Sequence, residues 1–143
     1  MLKEEAGLMK SFEILYHQQQ ELQGDPADAC SPLLAKLMRV DTIPFSLFKQ
    51  DSPLPFSTQG TIGGKAFQTW CFRLEAIHKE DQSVLLSLLQ PYTIYGEPAG
   101  WMEEIYALKR THCLITQPVP AFSSLSCLNI DLLKRDIIVE PKW

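Results

Sequence analysis

Nucleophilic or acid–base chemistry in this 143-residue chain would have to draw on three histidines, His17, His78 and His112, and four cysteines, Cys30, Cys71, Cys113 and Cys127. A reactive cysteine needs its thiolate stabilised by a neighbouring imidazolium or other positive charge. His112 and Cys113 are adjacent in sequence, but neighbouring residues of a strand point to opposite faces, so the two are not expected to form a thiolate–imidazole pair. The cysteines are widely spaced and form no C-x-x-C pair, which removes the usual spacing of a structural zinc site. They read as ordinary buried thiols or as disulfide-forming ones. The glycine-rich turn at Gly60 to Gly64 lacks both the lysine–serine ending and the following helix of a phosphate loop, so it reads as a plain turn. No paired carboxylates stand at a catalytic spacing. The residue types therefore predict no catalytic, cofactor-binding or metal site.

The elements around these residues change character near residue 40. Residues 2 to 23 read as a helix, with Leu8, Phe12, Leu15 and Leu22 on one face and Lys3, Glu4, Glu5, Lys10, Glu13 and the Gln18-Gln19-Gln20 run on the others. The helix is expected to stop before Gly24-Asp25-Pro26, and a short second one to begin at Asp25-Pro26-Ala27-Asp28 and run to about Met38. The apolar stripe either docks on the chain's own sheet or serves a neighbouring subunit, which makes Leu8, Phe12 and Leu15 candidate assembly contacts. From Asp41 onwards prolines, threonines and aromatics take over. A strand to Lys49, a turn at Gln50 to Pro53 and a second strand read as a hairpin, with Pro44 marking an edge or bulged strand because it lacks an N–H.

Ala66 to His78 alternates with period two, placing Trp70, Phe72, Leu74 and Ala76 on one side and Thr69, Cys71, Arg73 and Glu75 on the other. Val84 to Leu89, apolar on both faces, suits a central strand paired with it across the polar turn at 78 to 82. Tyr92 to Trp101 reads as an irregular loop, followed by strands at 105 to 116 and 121 to 129 and a last short one at Ile137-Ile138-Val139. About seven short strands predict an antiparallel β-sandwich at 41 to 143, with a helical arm at 1 to 40.

Bulk properties narrow the function classes. A composition of 45% hydrophobic and 21% charged residues is that of an ordinary globular domain, neither disordered nor fibrous. A net charge of −4 without a basic cluster argues against nucleic acid, whose phosphates must be neutralised. No run reaches the length of a membrane span, and the N-terminus has no apolar signal core.

Asp-Thr-Ile-Pro-Phe at 41 to 45 with Phe48, then Phe56-Ser57-Thr58, Gly60 and Gly63-Gly64, resembles the spore-coat protein Z family. The similarity continues through Phe72-Arg73-Leu74-Glu75 and Leu86-Ser87-Leu88-Leu89-Gln90-Pro91, and less specifically through Thr111 to Ile115 and Cys127-Leu128 with Leu132. It covers roughly residues 40 to 133. It implies a structural protein made in the mother cell. Such a protein self-assembles into a lattice in the coat, crust or exosporium of the endospore, with other spore-coat proteins as partners. The chain departs from the family in having only four cysteines where those proteins are cysteine-rich, so its association is expected to be chiefly non-covalent. The rival expectation is a ligand- or carbohydrate-binding β-sandwich that stacks sugar rings on Trp70, Trp101 or Tyr95. Trp70 reads as core, and Trp101 in its Gly/Pro-rich loop as the better candidate for exposure.

Overall fold

In the computed structural model the described residues are 2–22 and 42–133. The expected second helix, Cys30, the helix stop at 24–26 and the strand at 137–139 lie outside them. Helix α1, Leu2–Leu22, is followed by seven strands: β1 Phe45–Lys49, β2 Thr58–Ile62, β3 Lys65–Thr69, β4 Phe72–His78, β5 Ser83–Tyr92, β6 Ala107–Pro118 and β7 Phe122–Cys127. They form a five-stranded sheet of order β6-β5-β4-β1-β7 and a two-stranded sheet, β2-β3, all antiparallel. The fold is mainly β, in two sheets with one N-terminal helix, as the alternating patterns predict.

The helix is not a detachable arm. Leu8, Phe12 and Leu15 are 5%, 0% and 2% exposed and belong to one core with Phe45, Leu47, Phe67, Phe72, Leu74, Val84, Leu86 and Leu88. Phe12 meets Phe45 edge to face at 5.9 Å between ring centroids. Of the two alternatives for this stripe, docking on the chain's own sheet is the one observed, and Leu8, Phe12 and Leu15 as assembly contacts are corrected, because a sheet with large side chains on its inner face needs the same apolar surface as cover. The buried row also continues to Gln19 rather than to Leu22, at the spacing 8, 12, 15, 19.

The expected hairpin of 41–49 with the segment after Pro53 does not form. Beyond the turn at Lys49 to Ser52, Phe56 makes one backbone hydrogen bond, from its N–H to the Leu47 carbonyl at 2.7 Å, and the chain then leaves to build β2. Strand β1 instead pairs along its length with β7, from Phe45↔Cys127 to Lys49↔Phe122, and with β4 only at Phe45↔Phe72. Pro44 therefore does not mark an edge strand. It sits just before the ladder, where its carbonyl accepts from Leu128 N–H at 2.7 Å and no N–H is required of it.

The glycine turn is a hairpin turn. Ile62 pairs with Lys65, and the two residues between them, Gly63 and Gly64, have φ of +56° and +81°, the left-handed pair that a two-residue turn demands. Gly60 serves differently: a Cβ there would lie 2.7 Å from the Phe67 ring and 2.8 Å from Leu88 Cδ1, so its bareness lets the hairpin settle on the main sheet.

The long strand expected over 66–78 is broken at Trp70-Cys71, where the chain passes from the small sheet to the large one. Thr69 Oγ1 accepts from Cys71 N–H at 3.1 Å and so fixes the crossing. Beyond it Arg73 is buried rather than solvent-facing, paired with Glu75 and donating from Nε to Thr42 Oγ1 at 2.8 Å. Glu75 lies at the irregularity between Leu74 and Ala76 in the β4–β5 ladder.

Where β1 and β4 separate, one side chain closes the gap. Gln19 Nε2 donates to the Leu74 carbonyl at 2.8 Å, and its Oε1 accepts from Ile43 N–H at 3.1 Å. Replacing it by alanine leaves a buried donor and acceptor unpaired, at about 1–3 kcal/mol for each. Gln19→Ala is expected to lower the unfolding free energy by about 2–6 kcal/mol, read as a lower urea midpoint at an unchanged slope, whereas an unchanged midpoint would contradict this role. Phe12→Ala is expected to cost about 3–5 kcal/mol in the same measurement.

Candidate assembly surface and thiols

The three histidines are scattered. His112 is exposed on β6 and faces away from Cys113, whose side chain turns inward and donates from Sγ to the Thr61 carbonyl at 3.3 Å. The strand geometry thus separates the pair as expected. His78 ends β4 in solvent. His17 lines a half-open groove of about 310 Å³ between α1 and the end of β4, with Glu13, Tyr16, Ala76, Ile77 and Lys79. Glu13 and Lys79 form an ion pair at 3.0 Å on its wall, which occupies the two strongest charges there with one another. Among the described residues, no group of three or more His, Cys, Asp or Glu side chains is placed to hold a metal ion.

Cys71, Cys113 and Cys127 carry free thiols. Cys71 is wholly buried between Trp70, Leu89 and Leu108, and burial pushes its pKa from 9.0 up to about 12, against smaller opposing effects of the Thr69 hydroxyl and the Trp70 backbone. Burial also raises the pKa of Cys127, though that residue is exposed at the end of β7.

The sheet ends are the most distinctive surfaces. Strand β6 closes one side and β7 the other. Leu128 N–H bonds to the Pro44 carbonyl, so in the alternating antiparallel pattern Ser126 and Ser124 also direct their backbone groups to β1. Leu125 and Cys127, between them, point their N–H and C=O groups outward, where no strand pairs with them among the described residues. Ser123, Ser124, Ser126 and Cys127 are exposed, and the strand carries no charge and no proline. By contrast β6 has Lys109, Arg110 and a terminal Pro118, the residues that ordinarily discourage edge pairing. Sequence reasoning placed the edge at Pro44 and missed β7. The signal it had was the uncharged run from Thr111 to Ile130, which takes in the second part of β6 as well as the whole of β7, in a chain where 21% of residues are charged.

A second exposed feature is the loop after β5. Thr93 N–H bonds to the Glu97 carbonyl at 2.7 Å and Tyr92 bridges Pro98, so the chain forms a small hairpin with Ile94 and Tyr95 near its tip. Tyr95 is 79% and the nearby Trp101 70% exposed, while Trp70 is buried, as the reading of the loop anticipates.

Protein-family models, curated proteins and solved structures yield no match to the chain.

The thiols give a direct test. Cys71 is expected to stay unlabelled by an aromatic disulfide reagent at pH 8 in the native protein and to react after denaturation, while Cys127 reacts without unfolding. Because the folded pKa of Cys71 lies above the unfolded one, its contribution is fully present below pH 9 and is lost as pH rises towards about 12. Cys71→Ala should flatten the stability decline across that window; an unchanged alkaline profile would contradict it.

Proposed function

We propose that this chain is a structural subunit of the endospore outer layer, coat crust or exosporium. It would be made in the mother-cell cytoplasm, associate with copies of itself into an ordered lattice and scaffold other coat proteins. The observation that carries this reading is the five-stranded sheet ending in an uncharged strand, β7, whose outer backbone groups meet no strand among the described residues. Such an edge is a template for pairing with another chain, and proteins that stay monomeric ordinarily blunt it.

The residues that carry the resemblance to the spore-coat protein Z family fit this reading as fold determinants. Phe45 and Phe72 meet across the β1–β4 junction, Gly63-Gly64 makes the hairpin turn, Arg73 and Glu75 pair under the sheet, and Leu86, Leu88 and Leu89 are buried. The motif thus specifies a scaffold and leaves its edges and loops to carry contacts. With only four cysteines in the chain, one of them the buried Cys71, few thiols are available for cross-links, which supports a chiefly non-covalent association.

A second reading rests on Tyr95 and Trp101, whose exposed rings supply the stacking surface that a carbohydrate-binding module needs. Sedimentation and negative-stain microscopy of the purified full chain separate the two. Ordered particles that grow with concentration and persist in reductant are expected; a monomer at all concentrations that is retained on a glycan column would favour the sugar-binding reading.

A further inference from the structure

We infer that β7 pairs with β7 of a second copy across a two-fold axis, joining two five-stranded sheets into one of ten strands. This rests on the self-association proposed above and specifies the contact that makes it. The outward groups of β7 are those of Leu125 and Cys127, separated by one residue whose own backbone is bonded inward. In an antiparallel self-pairing, Leu125 of one copy exchanges both its hydrogen bonds with Cys127 of the other, and Cys127 with Leu125, so four bonds form and none to β1 is disturbed. Ser126 then stands opposite its own symmetry mate on the axis.

Three features favour a second copy over an unrelated strand. The outward donors and acceptors of β7 are self-complementary under a two-fold, which is the requirement of an isologous contact. Strand β7 itself carries no charge, so no like charges stand directly opposite one another when two copies of an acidic chain of net charge −4 pair along it. The side chain of Ser126 is small, exposed and directed away from the core-facing Leu125, so nothing bulky stands at the axis. Pairing with β6 of a neighbour is disfavoured by Lys109, Arg110 and Pro118 at that edge. Two such rungs are a small contact, so the dimer is concentration-dependent and gains strength from other contacts in a lattice.

The pairing fixes distances that cysteine substitution can read. Facing residues of a non-hydrogen-bonded antiparallel pair have Cα atoms about 4.5 Å apart, within disulfide reach, whereas Ser124 and its mate, displaced by two residues each, stand roughly 13 Å apart. In the full-length protein under mild oxidation, Ser126→Cys is expected to give a covalent dimer that reductant splits, and Ser124→Cys and the unaltered chain are not. Ser126→Lys, at an exposed position that leaves the circular dichroism spectrum and unfolding midpoint unchanged, is expected to raise the dimer dissociation constant at least tenfold at low salt.

Cross-linking of Ser124→Cys as readily as Ser126→Cys, or undiminished association of Ser126→Lys, overturns the two-fold β7 contact. If the unaltered chain still forms ordered particles in that case, the structural-subunit reading stands and only its contact is wrong. A chain that is monomeric at every concentration, with no cross-link at position 126, overturns both.

Discussion

The main sheet depends on a side-chain amide standing in for a strand rung. After the single pair Phe45↔Phe72, strands β1 and β4 separate, and the next facing groups, Ile43 N–H and Leu74 C=O, are each bonded to Gln19 of the helix. Gln19 is only 2% exposed, so its amide would be costly to bury without those partners, and the two backbone groups would be costly to bury without it. Its position is set by the apolar residues one, two and three turns before it, Leu15, Phe12 and Leu8, which anchor α1 on the sheet. Polar pairing and apolar burial thus fix the same helix in the same register.

That arrangement explains what the amino-acid pattern could and could not reveal. The helix, the β4–β5 hairpin, the central place of β5 and the irregular loop after it are legible because each rests on local periodicity and turn chemistry. The partners of β1 are not, because pairing between residues 45 and 127 is a long-range choice that no local signal encodes. Gln19 lies in a glutamine run that reads as solvated helix, and only the continuing 8, 12, 15, 19 spacing singles it out. Pro44 suggests an edge by its missing N–H, yet the ladder begins one residue later. At Trp70-Cys71 alternation is uninterrupted in sequence while the chain changes sheets, a step held by the Thr69 hydroxyl rather than by a glycine or proline.

The surfaces divide by the same logic. The residues of the stretches at 41–64, 72–75 and 86–91 are mostly used up in forming the core, the hairpin turn and the Arg73–Glu75 ion pair. The less patterned parts, β7 and the loop carrying Tyr95 and Trp101, are where exposed residues and outward backbone groups gather. Of these β7 makes the more specific offer, since its exposed backbone groups have a fixed spacing and direction, whereas the aromatic loop presents rings without a defined socket.

The central claim, that the chain associates through this edge, is tested most directly by amide exchange measured by nuclear magnetic resonance at rising protein concentration. The Leu125 and Cys127 amides face outward, while those of Ser124 and Ser126 are bonded to β1. In dilute solution the first two should exchange quickly, and they should become protected together as association proceeds, with Ser124 and Ser126 protected throughout. Formation of particles while the Leu125 and Cys127 amides still exchange quickly would contradict the account.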